Sequence, residues 1–406
     1  MIRFAVCAIG SEILDGIVEE RNSRRIADFL SAYGCNFFEK VEVRDDIDSI
    51  VAVFELLAGF VDLIVTTGGL GPTEDDLTRE AIAKFYGIPL RFDESLWDVI
   101  VRKIRERGRE PKESHKRMAY VPEGAILIDN PWGLACGIVV KRKPILVALP
   151  GVPRELEAML EKIPMILDFK KSDYLVKTIK IIGMRESEVN EIARDILKPF
   201  AVKWGTVIKE PEVWIRLEGE GSIVRVITDT LKKAFGINLY GEDGDTIEAI
   251  LGRLLLEGGF TIATCESATG GLVANLITDV SGSSNYFKGS IVAYTEEAKV
   301  KVVGIPRDII EEHTVYSHEV ARLMAKNVRE IFGADVGVST TGIAGPTGGD
   351  DTNPVGRVYI GLSTPWGLDS YSFDFHYDRA KNKLAFAKTA LDIVRREIIA
   401  KGICSN

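Results

Sequence analysis

A serine followed by two glycines is the feature of this sequence that most resembles a reactive site. In the run TCESATGGLVANLIT a strand is predicted to end at Cys265, Ser267 lies in the turn, and Gly270 and Gly271 open a helix. Unpaired backbone N–H groups and the positive end of a helix dipole lie near such a turn, where they stabilise a developing oxyanion. The pattern indicates an acyl-transfer nucleophile, although a serine in this position also serves as an ordinary helix cap.

A serine nucleophile needs a proton acceptor, and the next motif supplies candidates. The run VSGSSNYFKGSIVAYTEEAK contains Ser283 and Ser284, then Tyr294 at a strand end and Lys299 one helical turn later. The histidines lie in no strand-end position near these motifs, so a Ser–Lys arrangement, with tyrosine relaying or orienting, is the chemically sufficient substitute. It requires Lys299 to be neutral part of the time, through burial or cationic neighbours. The alternative is a solvated helix lysine.

A glycine-rich loop follows in the same region. The run STTGIAGPTGGDDTNPVGRV lies between two predicted strands and is rich in glycine and proline. Backbone N–H groups of such a loop can hold a phosphate without a cationic side chain, although a long surface turn has the same composition.

A second glycine-rich turn, TTGGLGPTEDDLTRE, lies near the amino terminus. Its glycines let the backbone approach a phosphate, and they are Gly68, Gly69 and Gly71. The helix is predicted to begin near Thr73, so that Asp75 and Asp76 lie in its first turn. These carboxylates either bind Mg²⁺ and with it a diphosphate, or only complement the helix dipole.

The elements that position these motifs alternate between strand and helix. Up to about residue 165, strands ending in glycine precede capped helices, which predicts a parallel sheet with helices on both faces. Ligands of such sheets bind at the carboxyl ends of the strands. Residues from about 170 to 243 show a different sequence pattern, which predicts a small α+β insert. The alternation of strand and helix returns from about residue 244.

Composition limits the remaining function classes. The net charge of -9 argues against a general nucleic-acid or anionic-membrane surface. The cysteines are odd in number, widely spread and without a CxxC pair, so they predict neither a zinc site nor a disulfide framework, and a reducing cytoplasm is expected. No apolar run reaches membrane-spanning length, and no signal sequence is recognised.

Five motifs of the carboxy-terminal third carry a resemblance to a known family. ESATGG, SGSSNYFKG, VAYTEEAK, TGIAGPTGG and PVGRVYIG, in this order, resemble the carboxy-terminal domain of the CinA family over roughly residues 246–400. The resemblance implies hydrolysis of nicotinamide mononucleotide to nicotinic acid mononucleotide and ammonia, without a cofactor. It implies Ser267 as the nucleophile with Ser284, Tyr294 and Lys299 around it. The implied substrate-binding residues are Thr269, Gly270, Gly271, Gly342, Ala344, Gly345, Gly348, Gly349 and Arg357.

One departure from the family bears on the nucleophile. The family usually has cysteine where this chain has Ala268, and a serine nucleophile predicts that this cysteine is dispensable. Cys265 remains a rival nucleophile, but it is expected to lie inside a buried strand.

The amino-terminal third resembles the other CinA domain over about residues 1–165. GSEILDG and LPGVPRELEAML flank the glycine turn as in that domain, which has the fold of molybdopterin-binding proteins. The resemblance implies hydrolysis of ADP-ribose with a divalent metal, most simply Mg²⁺, held by Asp75 and Asp76. The implied nucleotide-binding residues are Gly10, Ser11, Glu12, Gly68, Gly69, Gly71, Thr73 and Lys116. In place of the family's N-x-K-Q-A and G-T-A-P-G segments this chain has SHKRMAYVPEG and GLACG, so Lys116 is kept but Cys136 replaces a proline.

These observations predict an α/β protein of three domains. They are a molybdopterin-binding-like three-layer domain (1–168), a KH-like α+β domain (169–243) and an α/β/α deamidase domain (244–406). The insert lacks the GXXG loop of nucleic-acid-binding KH domains, so a spacer or dimerisation role is predicted. Three functions stay open: two hydrolases in one homodimeric chain, the amidase with a nucleotide- or pterin-binding front domain, and a non-enzymatic interaction protein of DNA uptake or recombination.

Overall fold

The first strand of the amino-terminal region is buried on both faces from Phe4 to Ile9, as expected for a central strand of a parallel sheet. This computed structural model describes residues 2–402; Met1 and residues 403–406, including Cys404, lie outside the described residues. The strands of the region are β1 (Arg3–Ile9), β2 (Asn36–Val43), β3 (Leu63–Thr67), β4 (Leu90–Phe92), β5 (Tyr120–Pro122), β6 (Ile126–Ile128), β7 (Gly137–Val140) and β8 (Ile145–Leu149). Its α-helices are α1 (Ser11–Leu14), α2 (Asn22–Ser31), α3 (Ile47–Ala58), α4 (Thr78–Tyr86), α5 (Glu94–Glu106), α6 (Pro153–Leu160) and α7 (Ile163–Leu167).

The amino-terminal sheet has the strand order β2-β1-β3-β8-β7-β6. The first four strands are parallel, as predicted, but β7 and β6 run antiparallel to their neighbours. The prediction of an all-parallel sheet was therefore wrong at this edge, where two short strands connected by a loop form a hairpin. Helices α3, α4 and α5 pack on one face and α2, α6 and α7 on the other, which gives the predicted three layers.

The middle region is an α+β unit with its own sheet. Its elements are β9 (Tyr174–Ile182), α8 (Glu186–Leu197), β10 (Lys203–Lys209), β11 (Glu212–Glu220), α9 (Gly221–Phe235) and β12 (Leu239–Glu242). The sheet order is β10-β11-β9-β12, so the β-α-β-β-α-β succession has the ferredoxin-like arrangement. The predicted α+β character is confirmed.

The carboxy-terminal region has a mixed five-stranded sheet with the order β14-β13-β15-β16-β17. Its elements are α10 (Ile247–Gly258), β13 (Ile262–Glu266), α11 (Leu272–Thr278), β14 (Phe287–Val292), α12 (Glu296–Lys301), α13 (Arg307–His313), α14 (His318–Phe332), β15 (Val336–Gly342), β16 (Arg357–Thr364), β17 (Gly367–Asp374) and α15 (Arg379–Ala400). Strand β13 is parallel to both its neighbours, whereas β16 and β17 are antiparallel. Helices α10, α11 and α15 cover one face and α14 the other.

The chain divides into two compact units. One contains residues 1–176 and 219–222, and the other contains residues 177–218 and 223–406. Most of the middle region therefore belongs to the same unit as the carboxy-terminal domain. Its contacts there include an ion pair of 2.6 Å between the Lys388 amine and the buried Glu212 carboxylate. Within residues 2–402, no helix has the length and apolar character needed to cross a membrane.

Candidate active site at the carboxyl end of β13

Ser267 lies directly after β13, at the carboxyl end of the strand. Its backbone N–H donates to the Thr340 carbonyl of the neighbouring strand β15 at 2.8 Å, which fixes the turn against the sheet. Lys299, from α12, lies with its Nζ 2.9 Å from Ser267 Oγ and 3.2 Å from the Ala293 carbonyl oxygen. The structure therefore joins the two residues that the sequence proposed as nucleophile and base.

Lys299 is 1% exposed, and no carboxylate forms an ion pair with it among the described residues. Burial disfavours the charged ammonium and lowers the pKa of Lys299 from 10.5 to about 8, with the negative charge of Glu296 opposing the shift. The alternative of a solvated helix lysine is excluded. At neutral pH a useful fraction of this amine is unprotonated and able to take the hydroxyl proton of Ser267.

Cys265 is fully buried inside β13, as predicted. Burial raises the pKa of its thiol to about 12, so the reactive thiolate is scarce at neutral pH. Both observations weigh against this residue as the rival nucleophile.

A residue that the sequence analysis missed, Glu266, organises the turn after β13. Its fully buried carboxylate accepts hydrogen bonds from the backbone N–H groups of Gly271 (2.9 Å), Val273 (3.0 Å) and Ala274 (2.8 Å). It also accepts from the Thr269 hydroxyl at 2.7 Å. A carboxylate at this position satisfies the amino-terminal donors of α11 and complements its dipole.

This arrangement corrects the expected role of the α11 amino terminus. The first amides of the helix bind Glu266, so they are not the donors that stabilise an oxyanion. Thr269 is fully buried and bonded to Glu266 and Thr340, so its side chain supports the turn rather than facing a ligand. Gly270 and Gly271 have φ values of 63° and 96°, and they allow the left-handed backbone that the turn requires. The Ala268 amide makes no hydrogen bond within the described chain and remains available, whereas the Thr269 amide, also without a partner there, belongs to a fully buried residue.

Tyr294 and Ser284 do not contact the Ser267–Lys299 pair in this chain. Tyr294 is 59% exposed, and its hydroxyl accepts a hydrogen bond from Arg379 at 3.1 Å. Ser284 precedes β14, which is parallel to β13, and Ser267 follows β13. Ser284 therefore lies at the amino-terminal end of the parallel strands, opposite the end that bears Ser267. The prediction that placed it beside the nucleophile was wrong for the single chain.

The glycine-rich loop is held by the first turn of α15. Arg379 donates to the Gly345 carbonyl at 2.6 Å, and the buried Asn382 amide donates to the Ala344 carbonyl at 3.0 Å. Loop amides that make no hydrogen bond within residues 2–402 include those of Ala344, Gly345, Thr347, Gly348 and Gly349. The loop thus has its carbonyls fixed and a set of N–H donors free, which suits a phosphate.

Two predicted ligand residues of this loop have structural contacts instead. All three guanidinium nitrogens of Arg357 are engaged at 2.8 Å, two by the Asp374 carboxylate and one by the Thr352 carbonyl. Gly342 lies so close to β16 that a side chain would meet the Arg357 carbonyl oxygen at 2.3 Å. Both positions support the loop rather than face a ligand.

Two cations at the start of α15 were missed by the sequence analysis. Besides Arg379, Lys383 lies close to the turn, because a side chain on Gly270 would meet its amine at 3.6 Å. The Lys383 amine makes no hydrogen bond or ion pair with another described residue. A signal was present in DRAKNK, because basic residues in the first helical turn oppose the helix dipole and call for another explanation.

The amino-terminal glycine turn lines a cleft of about 870 Å³. The predicted residues that line it are Glu12, Gly68, Gly69, Gly71, Thr73, Asp75 and Asp76. Lys116 instead forms a 3.0 Å ion pair with Glu113 outside the lining. Gly10 and Ser11 do not line the cleft, and Ser11 N–H donates to the lining residue Asp45 at 2.7 Å.

The helix after this turn begins at Thr78, not near Thr73 as predicted. Asp76 closes the loop, because its carboxylate accepts from the N–H groups of Gly71 (2.7 Å) and Thr73 (2.8 Å). Asp75 is exposed and has no partner in the described part of the chain. Within residues 2–402 no three His, Cys, Asp or Glu side chains are grouped to hold a metal, so Mg²⁺ here would depend on ligand phosphate oxygens as well.

Comparisons with known proteins match the amino-terminal and the carboxy-terminal regions of the chain to two different domains. Residues 244–398 match the CinA C-terminal domain, and residues 5–168 match the probable molybdopterin binding domain. A putative competence-damage inducible protein of Caldicellulosiruptor saccharolyticus is 34% identical over 97% of this chain and 98% of its own length. One from Halothermothrix orenii is 36% identical over 95% of this chain and 96% of its own. Among solved structures, the protein CinA with unknown function from Thermoplasma acidophilum is 34% identical, covering 41% of this chain and 97% of its own, with a TM-score of 0.38.

Proposed function

Because the chain belongs to the CinA family, we propose that its carboxy-terminal domain hydrolyses the carboxamide of nicotinamide mononucleotide, with Ser267 as nucleophile and Lys299 as base. The 2.9 Å contact between Lys299 Nζ and Ser267 Oγ carries this proposal. It brings a hydroxyl against an amine whose pKa burial lowers to about 8.

The reaction proceeds through an ester on Ser267. The Ser267 hydroxyl proton passes to neutral Lys299 while the oxygen attacks the amide carbon, which forms a tetrahedral oxyanion. The C–N bond then breaks, and the Lys299 ammonium returns its proton to the departing nitrogen, so that ammonia leaves. Water next attacks the ester, Lys299 takes its proton, and the acid product leaves as Ser267 is reprotonated.

The free amide of Ala268, which follows the nucleophile in the turn, is the donor for the oxyanion. Backbone donors of this kind are preorganised, and removal of one such donor costs about 10²–10³ in rate in other hydrolases. Since Glu266 occupies the α11 amides and Thr269 is fully buried, this N–H group is the donor that the turn leaves open.

The substrate phosphate is assigned to the glycine loop and the start of α15. Arg379 and Lys383 bring two positive charges beside a loop with several free amides. This division places the ring amide at Ser267 and the phosphate at the loop. It predicts that nicotinamide riboside, which lacks the phosphate, is a much poorer substrate than the mononucleotide.

The deciding experiment measures ammonia release from nicotinamide mononucleotide by the wild type and by Ser267→Ala. The variant should lose about 10³-fold or more of the rate, as other enzymes do without their nucleophile. Cys265→Ala, two residues earlier in the same strand, is the matched control and should keep most of the rate. Release by both Ser267→Ala and the wild type would overturn the assignment, as would no release by either.

For the amino-terminal cleft, Mg²⁺-dependent hydrolysis of ADP-ribose is a second proposal. It rests on the size of the cleft and on the exposed Asp75 carboxylate beside glycine amides. Mg²⁺ held by Asp75 and the diphosphate would supply charge neutralisation for attack by water. Loss of ADP-ribose hydrolysis in Asp75→Ala, with deamidation unchanged, is the expected result. Unchanged ADP-ribose hydrolysis would show that the reaction does not depend on Asp75, and no hydrolysis by the wild type would overturn the proposal.

A further inference from the structure

A cavity of about 1020 Å³ lies inside the carboxy-terminal compact unit, between the middle region and the β17–α15 segment. None of Ser267, Lys299, Tyr294 or Arg379 lines it, so it is separate from the deamidase site. Its volume is that of a small-molecule site, and boundaries between domains are where such sites commonly form.

One wall of the cavity is a row of aromatic rings at alternate positions along the chain, namely Tyr371, Phe373, Phe375 and Tyr377. Alternate positions of an extended segment share a face, so these rings form a continuous surface. The ring centroids of Phe373 and Phe375 are 6.3 Å apart, and those of Phe375 and Tyr377 are 6.1 Å apart. Such a surface suits a flat heteroaromatic ring, because stacking tolerates any base.

The facing wall comes from the middle region and combines apolar with charged side chains. Its apolar members include Ile182, Met184 and Ile208. Ile208 lies near the end of β10 and is 51% exposed, although it lines the cavity. An aromatic row opposed by aliphatic side chains forms a slot for a planar ring.

The polar lining offers one free cation to an anionic substituent on that ring. Five lining carboxylates pair with cations, namely Glu210, Glu212, Asp374, Asp392 and Glu397. Two others, Glu186 and Glu188, form no ion pair with a described residue. Arg185 also lines the cavity, is exposed, and forms no ion pair or hydrogen bond through its guanidinium with another described residue. A phosphate is a suitable partner for this free guanidinium.

We propose that this cavity is a second ligand site that takes a mononucleotide, with the base on the aromatic wall and the phosphate at Arg185. The site is independent of the deamidase chemistry. A mononucleotide without a carboxamide occupies it without being a substrate.

The test is calorimetric titration of the full chain with adenosine monophosphate, which has no carboxamide to hydrolyse. Ile208→Trp fills the slot and should weaken binding about tenfold or more. Val207→Trp is the matched control, because Val207 is the preceding residue of β10, is 43% exposed and does not line the cavity. This control should bind like the wild type. Both variants should deamidate nicotinamide mononucleotide at the wild-type rate. Failure of this proposal can therefore be distinguished from failure of the deamidase proposal.

Two further changes locate the two halves of the ligand. Phe373→Ala should weaken binding of adenosine monophosphate and of adenosine about fivefold or more. Arg185→Gln should weaken the monophosphate and leave adenosine unaffected. The proposal is overturned if the wild type does not bind the monophosphate, or if Ile208→Trp binds it as well as Val207→Trp does.

Discussion

The two sites of this chain share one local design and differ in what is buried. In both, a parallel strand ends in a glycine-containing turn that a carboxylate closes: Glu266 after β13, and Asp76 after β3. At the first site a lysine amine is buried against a serine hydroxyl. At the second, the neighbouring carboxylate, Asp75, is exposed and has no described partner.

The difference shows which part of the design provides reactivity. A closed glycine turn orders backbone donors and is sufficient to bind an anion. Reaction at neutral pH needs a group whose pKa has moved, and a large shift in a lysine requires removal from water. In the proposed reactions the carboxy-terminal site supplies its own base, whereas the amino-terminal cleft would depend on a metal ion brought with its ligand.

The largest expected effect comes from removing the buried amine. Lys299→Met should lower deamidation about 10³-fold or more, yet raise the free energy of unfolding by about 1–2 kcal/mol at pH 7, because an uncompensated buried charge is lost. The pKa of Lys299 is lower in the folded chain, so the unfolded state binds more protons between pH 8 and 10.5. The free energy of unfolding of the wild type therefore rises as the pH rises through that window. Below the window, the buried charge destabilises the fold to its full extent.

Chemical denaturation and the ammonia assay measure both effects. The control is Lys301→Met on the same helix, whose side chain is 71% exposed and which should change neither quantity. A Lys299→Met variant that is less stable than the wild type would contradict this expectation. It would show that the hydrogen bonds of the amine stabilise the fold by more than burial of its charge destabilises it.

The next effect is the pH dependence of deamidation. Because the base must be neutral, kcat/KM should rise about tenfold per pH unit in acid solution and level off above about pH 8. Steady-state rates measured at constant ionic strength between about pH 6 and 10 give this profile. Each tenfold change in rate corresponds to about 1.4 kcal/mol of activation free energy. A flat profile across that range would separate Lys299 from the proton transfer.

A smaller effect is expected at the amino-terminal turn. Asp76→Ala should lower the free energy of unfolding by about 1–2 kcal/mol, because the Gly71 and Thr73 amides lose their acceptor. Asp75→Ala should change it by less than about 0.5 kcal/mol. Thermal unfolding of the two variants measures the contrast, and equal destabilisation would show that Asp75 also supports the loop.

The smallest effect is expected at Ser284. In this chain it lies at the sheet edge opposite Ser267, so Ser284→Ala should leave deamidation within about twofold of the wild type. A large loss in the ammonia assay would contradict the single-chain geometry and would require a second chain to bring Ser284 to the site.

The sequence predicted the features that follow from local pattern. A strand followed by a glycine turn places Ser267 at a strand end and Cys265 inside the strand, and both positions are confirmed. Strand direction explains the failure at Ser284, since proximity in sequence to Tyr294 does not reveal which sheet edge a residue reaches. The start of α4 was misplaced because the acidic residues resembled a first helical turn, whereas one of them closes the loop.

Glu266 escaped prediction for a different reason. A glutamate beside a turn is usually solvated, and only the assembled structure shows that the strand end buries it against the helix amides. The partners of Arg379 and Lys383 likewise arise from chain segments far apart in sequence. Residue type and spacing thus predicted the contact between Ser267 and Lys299, while the groups around this pair depend on tertiary contacts.

The buried amine of Lys299 also has a consequence for chemical labelling. With a pKa of about 8, roughly a tenth of it is unprotonated at pH 7, against about 0.03% for a lysine at 10.5. An electrophile small enough to enter the site would therefore meet a free amine there about 300 times more often than at a surface lysine. Lys299 is thus a natural anchor for a covalent inhibitor or an affinity probe, and occupancy by substrate should protect it.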